Sequence, residues 1–219
     1  MPKPIQVFFL DDQAILRAGF RSLLDKMEDI EVAGDSGDAR AAVEQIEELR
    51  PDIVMLDITM PGLSGIDAIP MIRKRSPRSK IVMLTHHEGQ TFLDESLKAG
   101  ADGYLSKDSD PVEMELAIRS VQRGDPYVSP KVAGSLVNQV RGGETGTGRQ
   151  GTGIGSLTPR EREVFQLLAI GKSNKEVAFQ LEMSVSTAKK HRENLQRKLR
   201  VNSAAELARL AIREGLLNS

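Results

Sequence analysis

The sequence of 219 residues contains no cysteine and no apolar run long enough to cross a membrane. Without cysteine, the chain has no disulfide, no thiolate metal site and no cysteine nucleophile. A membrane-spanning helix needs about 20 mostly apolar residues, and no long apolar region follows the N-terminal Met1-Pro2-Lys3-Pro4. We therefore expect a protein without membrane segments or a signal peptide, in a reducing compartment such as the cytoplasm.

The net charge of −1 is small because two parts of opposite sign nearly cancel. Residues 1–123 hold 15 Lys or Arg against 22 Asp or Glu, whereas residues 156–219 hold 12 against 7. The length is sufficient for two domains that each bury a core. An acidic part joined to a basic part predicts two domains with different partners, the basic one facing an anion such as nucleic acid.

The acidic part alternates between short apolar runs and helical patterns. Strands are predicted over residues 5–10, 31–35, 53–57, 80–84 and 102–106. Helices are predicted over residues 13–27, 38–49, 64–74 and 90–99, and a fifth begins after the N-cap Asp110. Five strands alternating with five helices predict an α/β fold, a (βα)5 doubly wound parallel sheet over residues 1–123.

Polar residues stand at the ends of four predicted strands. Asp11 and Asp12 follow the first strand, Asp57 ends the third, Thr85 follows the fourth and Lys107 follows the fifth. The carboxyl ends of parallel strands meet at one edge of the sheet. Clustered carboxylates repel each other unless a cation joins them, and oxygen ligands favour Mg²⁺. Because a lysine and a hydroxyl can hold phosphoryl oxygens, the sequence predicts a site that attaches a phosphoryl group to Asp57.

Residues 124–155 are predicted to link the two domains. A short helix is expected over about residues 131–140, followed by a flexible Gly-rich tether over residues 142–155. The tether contains a formal G-x-G-x-x-G motif at residues 146–151. A dinucleotide site would need a strand before this motif and a helix after it, and the sequence predicts neither. The second domain is accordingly predicted over residues 156–219.

The basic part carries the start signals of four short helices. Thr158-Pro159-Arg160-Glu161 and Ser173-Asn174-Lys175-Glu176 are capping boxes, and Ser184 and Ser203 begin the third and fourth helices. A very short turn separates the second helix from the third. This arrangement predicts a helix-turn-helix.

The third helix of the basic part separates into an apolar face and a polar face. At about 100° per residue, the apolar face is formed by Val185, Ala188, Leu195 and Leu199. The opposite face carries Ser186, Lys190, Glu193, Asn194 and Arg197, with Lys189 beside them. The local excess of positive charge, to which Lys198 and Arg200 also contribute, favours contact with DNA phosphates over a merely solvated surface.

Residues 5–123 resemble the flavodoxin-like receiver domain of two-component response regulators, on the acidic pair, Asp57, Thr85 and Lys107. The resemblance implies that a sensor histidine kinase phosphorylates Asp57, while Lys107 and Thr85 hold the phosphoryl oxygens. It implies Mg²⁺ bound by Asp12, Asp57 and the backbone carbonyl of Thr59, and by Asp11 through water. Tyr104 matches the aromatic switch, which would follow Thr85 inward on phosphorylation. Asp108 stands where many receivers have proline.

Residues 156–217 resemble the LuxR-type DNA-binding domain, on residues 157–164, 173–178 and 186–194. The two resemblances follow the order of NarL/FixJ-type response regulators. They imply regulation of transcription, in which phosphorylation controls homodimerisation and sequence-specific binding to double-stranded DNA. The DNA contacts implied by the resemblance and the exposed helix face are Asn174, Lys175, Thr187, Lys189, Lys190, His191, Glu193, Asn194 and Arg197.

Two other functions are compatible with parts of this pattern. An aspartyl-phosphate phosphatase would use Asp57 as its nucleophile, but its common pattern has a second Asp where this chain has Thr59. We therefore expect a regulator and not an enzyme. Alternatively, the receiver could serve as a dimerisation module that needs no phosphate. The complete set of Asp11, Asp12, Asp57, Thr85 and Lys107 argues against that alternative.

Overall fold

A computed structural model of the chain describes residues 3–60, 62–86, 90–134 and 157–213. The chain forms two compact units, an α/β unit that contains all the described strands and an all-helical unit that contains the last four described helices. The predicted tether and residues 135–140 of the predicted linker helix lie outside the described ranges. Within those ranges, no helix combines the length and the apolar character needed to cross a bilayer.

The α/β unit is built on a six-stranded parallel sheet with the order β2-β1-β3-β4-β5-β6. Its strands are β1 (Ile5–Leu10), β2 (Ile30–Ser36), β3 (Ile53–Asp57), β4 (Lys80–Thr85), β5 (Gly103–Ser106) and β6 (Tyr127–Val128). Its helices are α1 (Ala14–Leu24), α2 (Ala39–Leu49), α3 (Gly65–Arg75), α4 (Gln90–Ala99) and α5 (Pro111–Arg123). The predicted doubly wound parallel sheet is confirmed.

Local sequence signals set several of these boundaries. The Asp38 carboxylate accepts from the Ala41 amide at 2.8 Å at the start of α2, and Asp110 accepts from the Glu113 amide at 2.8 Å at the start of α5. Gly124 adopts a φ of 93° and ends α5 in the left-handed conformation. All five residues of β3 are buried. This central strand therefore places Asp57 at its carboxyl end, directly beside the buried core.

The sheet continues past the five predicted strands. The two-residue strand β6 pairs with β5, with Tyr127 opposite Gly103. The Ser129 amide then donates to the Tyr104 carbonyl at 2.9 Å. Residues 130–134 are helical, and Val132 is fully buried. The α/β unit thus extends into the stretch that was predicted to be linker. Strand β6 was not predicted, because two residues are too few to show a strand period.

The helical unit comprises α6 (Pro159–Ala169), α7 (Asn174–Gln180), α8 (Val185–Leu199) and α9 (Ala204–Arg213). Both predicted capping boxes are present, at Thr158 and at Ser173. The Ser184 hydroxyl accepts from the Thr187 amide at 3.1 Å and begins α8. Buried side chains of α6, α8 and α9 form the core of this unit, among them Val164, Phe165, Leu195 and Leu207. The short connection between α7 and α8 gives the predicted helix-turn-helix.

Candidate functional site

Three carboxylates meet at the carboxyl edge of the sheet. One ligand oxygen from each of Asp11, Asp12 and Asp57 lies within 4.8 Å of the others. Asp11 and Asp57 are only 1% and 3% exposed, whereas Asp12 reaches the surface. The ends of β1 and β3 bring them together because these two strands are neighbours in the sheet. The group therefore has two buried members and one member that solvent can reach.

Lys107 joins the two buried carboxylates. Its Nζ lies 2.7 Å from Asp11 Oδ2 and 2.8 Å from Asp57 Oδ2, and its side chain is 2% exposed. We call Asp11, Asp12, Asp57 and Lys107 the acidic pocket. Three carboxylates and one ammonium leave two negative charges, which is the charge that a divalent cation neutralises.

Burial and neighbouring charges both shift the pKa values of the acidic pocket. Burial raises the pKa of Asp57 to about 6, although the Lys107 ammonium opposes the rise. Burial also raises the pKa of Asp12, and the Asp11 carboxylate raises it further. For Lys107 burial would lower the pKa, but the Asp57 and Asp11 carboxylates raise it overall. The pocket favours an additional positive charge beside its carboxylates.

The loop after β3 packs closely around Asp57. The Thr59 backbone amide donates to the Asp57 carboxylate, and the Gly65 amide donates to the Ile58 carbonyl at 3.0 Å. A Cβ atom at Gly65 would lie 1.8 Å from the Asp57 backbone carbonyl oxygen, so any larger residue would displace the loop. Gly65 is a site residue that the sequence reasoning missed. The available signal was a glycine at the start of the helix that follows Asp57.

Thr85 and Tyr104 lie side by side inside the sheet edge. Both are buried, and their side chains are hydrogen-bonded to each other. Burial raises the pKa of the Tyr104 hydroxyl far above its usual value. The resemblance predicts that Tyr104 follows Thr85 inward on phosphorylation, and in this structure Tyr104 is already fully buried beside Thr85. An inward swing of Tyr104 is therefore not needed to reach the Thr85 hydroxyl. The role of Tyr104 as the aromatic switch stays a prediction.

In the helical unit, most of the predicted DNA contacts lie on the exposed face of α8. Thr187, Lys189, Lys190, Glu193 and Arg197 are exposed. His191 and Asn194 are half-buried, and on α7 Asn174 is half-buried and Lys175 exposed. These residues project from two consecutive helices of the helix-turn-helix. The exposed face of α8 is hereafter the outer face.

Two side chains of α8 differ from the prediction in their exposure or in their partner. Val185 was assigned to the apolar face but is 48% exposed, whereas Ala188 and Leu195 on that face are buried. Lys198 was counted with the positive charges available to DNA, but its Nζ lies 2.5 Å from Glu161 Oε2 on α6. Helical periodicity gives the direction of a side chain and not the partner that it meets. Lys198 is therefore part of the framework of the helical unit.

The charged side chains of the outer face interact only weakly with one another. Lys189 Nζ and Glu193 Oε1 are 4.0 Å apart, and both side chains are more than 60% exposed, so this pair contributes little stability. Arg197 Nη2 donates to Asn194 Oδ1 at 2.8 Å. The remaining donors of Arg197, together with Lys189 and Lys190, can meet an incoming anion.

Comparison with known proteins assigns both units to families. Residues 7–119 match the family model of the response regulator receiver domain. Residues 155–211 match the model of bacterial regulatory proteins of the luxR family. The two matches cover the acidic and the basic parts of the chain, in the order that the sequence predicts.

Similar proteins of known type match along nearly the whole chain. The transcriptional regulatory protein MctR of Rhizobium johnstonii is 36% identical over 214 residues, covering 98% of this chain and 96% of MctR. The oxygen regulatory protein NreC of Staphylococcus epidermidis is 36% identical, covering 97% of this chain and 99% of NreC. A structure of RcsB from Salmonella enterica serovar Typhimurium, bound to promoter DNA with the phosphomimetic BeF3⁻, is 25% identical with a TM-score of 0.66, covering 95% of this chain and 98% of RcsB. This chain therefore belongs to the NarL/FixJ-type two-component response regulators, in which a receiver domain precedes a LuxR-type DNA-binding domain and the protein regulates transcription.

Proposed function

We propose that a sensor histidine kinase switches this regulator by phosphorylating Asp57. The observation that carries the proposal is the position of Lys107, whose buried ammonium contacts both Asp11 and Asp57 while Asp12 lies beside them. A buried carboxylate with an ammonium at 2.8 Å and a hydroxyl on the next strand is prepared to receive a tetrahedral anion.

The acidic pocket fits Mg²⁺ as the cofactor of this transfer. Its two excess negative charges and its all-oxygen ligand set match a hard divalent ion. In this proposal Asp12 and Asp57 bind the ion directly, with the backbone carbonyl of Thr59, and Asp11 binds it through water. When bound, Mg²⁺ neutralises charge on the phosphoryl oxygens during the transfer.

The protein's own groups account for the transfer step. An Asp57 carboxylate oxygen attacks the phosphorus of a phosphohistidine on the kinase, the phosphorus–nitrogen bond breaks, and its electron pair remains on the histidine nitrogen, which then takes a proton. The product is an acyl phosphate on Asp57. Lys107 and the Thr85 hydroxyl then bind the phosphoryl oxygens, so that Lys107 exchanges a carboxylate contact for a phosphoryl contact.

This chemistry serves regulation and not turnover of a substrate. The position two residues after Asp57 is Thr59, where the common phosphatase pattern has a second Asp. The chain also continues into a DNA-binding domain. We therefore propose a cytoplasmic regulator that is not an enzyme. Its receiver domain, predicted over residues 1–123, continues through β6 and the helical residues 130–134, and its DNA-binding domain covers residues 156–219.

We further propose that the outer face of α8 reads double-stranded DNA and that phosphorylation promotes a homodimer on two half-sites. Asn174 and Lys175 on α7 extend the contact toward the phosphates, together with Thr187, Lys189, Lys190, His191, Glu193, Asn194 and Arg197 on α8. The related RcsB is bound to promoter DNA in the presence of a phosphomimetic. A second copy adds phosphate and base contacts, which lowers the dissociation constant of the pair.

Mass spectrometry of the intact protein tests the proposed phosphorylation. We expect the wild type to gain one phosphoryl group from a small phosphodonor with Mg²⁺, whereas Asp57→Asn gains none because an amide is a poor nucleophile. Asp94→Asn on α4 is the matched control and should be phosphorylated like the wild type. A phosphoryl group on the Asp57→Asn variant would show that the phosphoacceptor has been assigned to the wrong residue.

A further inference from the structure

We propose that Arg17 is a positioning residue that fixes the loop carrying Asp11 and Asp12, and thereby sets the affinity of the acidic pocket for Mg²⁺. Arg17 lies on α1, outside the acidic pocket, and the receiver pattern of acidic pair, Asp57, Thr85 and Lys107 does not include it. The inference rests on the proposed function because it concerns the same site.

Arg17 connects the loop after β1 to the end of β2. Its Nη1 donates to the backbone carbonyl of Asp11 at 2.5 Å, and its Nε donates to Asp35 Oδ2 at 2.8 Å. The Arg17 side chain is only 17% exposed. A planar guanidinium can hold two oxygens in fixed directions at once. Arg17 therefore fixes the peptide plane that leads from Asp11 into Asp12.

Other contacts hold the same loop on either side of this point. The Asp11 amide donates to the Ser36 carbonyl at 3.1 Å, and the Gln13 amide donates to Asp11 Oδ1 at 2.8 Å. Together with Arg17, they constrain the backbone from both ends of the acidic pair. Since Asp12 is the exposed member of the acidic pocket, its direction depends on this backbone more than on side-chain packing.

The surroundings of the guanidinium are shaped to receive it. A Cβ atom at Gly37 would lie 3.1 Å from Arg17 Nη1, so a glycine leaves room for the side chain. Asp35 also accepts from Arg21 Nη2 at 2.7 Å. Asp35 thus balances part of the positive charge of Arg17, and the contribution of Arg17 to a cation site is chiefly geometric.

Replacing Arg17 with lysine distinguishes the geometric role of the Arg17 guanidinium from the effect of its positive charge. Arg17→Lys keeps one positive charge but loses the fork that joins Asp35 to the Asp11 carbonyl. Arg21→Lys is the matched control, because Arg21 shares Asp35 but makes no described hydrogen bond to Asp11. Thermal unfolding of both variants checks that each folds.

The first measurement needs no metal. In Mg²⁺-free full-length protein, we expect the amide protons of Asp11 and Gln13 to exchange with solvent several-fold faster in Arg17→Lys and at the wild-type rate in Arg21→Lys. Unchanged exchange in Arg17→Lys would overturn the inference. Equal acceleration in both variants would also overturn it, since the effect would then come from Asp35 alone.

The second measurement compares Mg²⁺ binding with the transfer step. For Arg17→Lys, we expect the Mg²⁺ dissociation constant from calorimetry, and the Mg²⁺ concentration for half-maximal phosphoryl uptake, to rise by about tenfold. The uptake rate at saturating Mg²⁺ should stay close to wild type, because Asp57, Lys107 and Thr85 are intact. Wild-type Mg²⁺ affinity in Arg17→Lys would contradict the inference.

A second variant keeps the inference testable if Arg17→Lys folds poorly. Asp35→Asn weakens the anchor of Arg17 at the end of β2, and we expect the same changes at a smaller size. Wild-type exchange and wild-type Mg²⁺ affinity in Asp35→Asn would contradict the anchoring role. A wild-type protein that binds no Mg²⁺ and takes up no phosphoryl group would refute the proposed function, while the metal-free exchange would still decide the role of Arg17.

Discussion

The acidic pocket and the outer face of α8 handle charge in opposite ways. In the acidic pocket, Lys107 lies within 3 Å of two carboxylates that are almost fully buried. On the outer face, Lys189 is 4.0 Å from Glu193, and both are largely exposed. Buried charges need fixed partners, whereas exposed charges are satisfied by water until a ligand displaces it. In the proposed function, the first region holds one phosphoryl group in a fixed geometry, and the second is a surface that meets the phosphates of DNA.

The largest expected effect comes from removing the buried cation. At pH 8 without Mg²⁺, Lys107→Met leaves three carboxylates without their ammonium, and we expect a loss of about 3–5 kcal/mol from the free energy of unfolding. Lys190→Met on the outer face should change it by less than about 0.5 kcal/mol. Urea unfolding followed by circular dichroism compares the two. Similar losses in both variants would remove the contrast between the regions.

The next effect concerns the pH dependence of stability. Because burial raises the pKa of Asp57 from 3.8 to about 6, the folded state binds this proton more tightly than the unfolded chain. The stabilisation that this proton gives to the folded state is fully present below about pH 3.8 and is lost as the pH rises through about 6. Asp57→Asn has no carboxyl group to deprotonate and therefore avoids this loss. At pH 8 without Mg²⁺, we expect the free energy of unfolding of Asp57→Asn to be about 2–3 kcal/mol higher than that of the wild type.

Unfolding midpoints between pH 4 and pH 8 check this expectation. The stability difference between Asp57→Asn and the wild type should grow as the pH rises from 4 to 7 and then level off. Asp94→Asn provides the control for loss of a carboxylate elsewhere in the α/β unit. A difference that does not change with pH would mean that Asp57 titrates in the folded state as it does in the unfolded chain.

A smaller effect distinguishes two lysines on the same helix. Lys190→Ala should weaken DNA binding about tenfold at low salt and reduce the slope of log affinity against log salt by about 1. Lys198→Ala should leave that slope unchanged, because Lys198 is paired with Glu161. Titrations at several salt concentrations measure both slopes. Equal changes in slope would place Lys198 among the phosphate contacts after all.

The smallest expected effect concerns the acidic residue on the outer face. Glu193→Gln removes repulsion from DNA phosphates, and we expect binding to unrelated DNA to tighten by about threefold. Glu182→Gln, in the exposed turn before α8, is the control. Weaker binding of unrelated DNA by Glu193→Gln would show that the carboxylate makes a favourable contact that is not specific to one sequence.

Sequence reasoning located the elements better than it located individual side chains. Apolar runs bounded by turn residues predicted the strand that ends at Asp57, and capping boxes predicted the starts of α6 and α7. The two-residue strand β6 was missed because it is too short to show a period. The position of Tyr104 before phosphorylation was left open, since a local sequence pattern does not determine which rotamer a side chain adopts.

Contacts between residues that are far apart in the sequence could not be predicted either. The apolar period of α8 correctly gave buried Ala188 and Leu195, but it gave no sign that Val185 is exposed. A period fixes the direction of a residue around the helix and not the extent of the neighbouring elements. For the same reason, the ion pair between Lys198 and Glu161, and the fork of Arg17 between Asp11 and Asp35, join residues that no local pattern connects.

The most direct test of the account is the affinity of the full-length protein for one DNA site before and after phosphorylation. The site is obtained by pull-down from genomic DNA, and the comparison is made at one salt concentration. We expect phosphorylation to lower the dissociation constant by about tenfold or more, equivalent to about 1.4 kcal/mol. Asp57→Asn treated with the same phosphodonor should keep the affinity of the unphosphorylated protein. Equal affinity of the phosphorylated and unphosphorylated wild type would contradict the switch and favour a receiver that only dimerises.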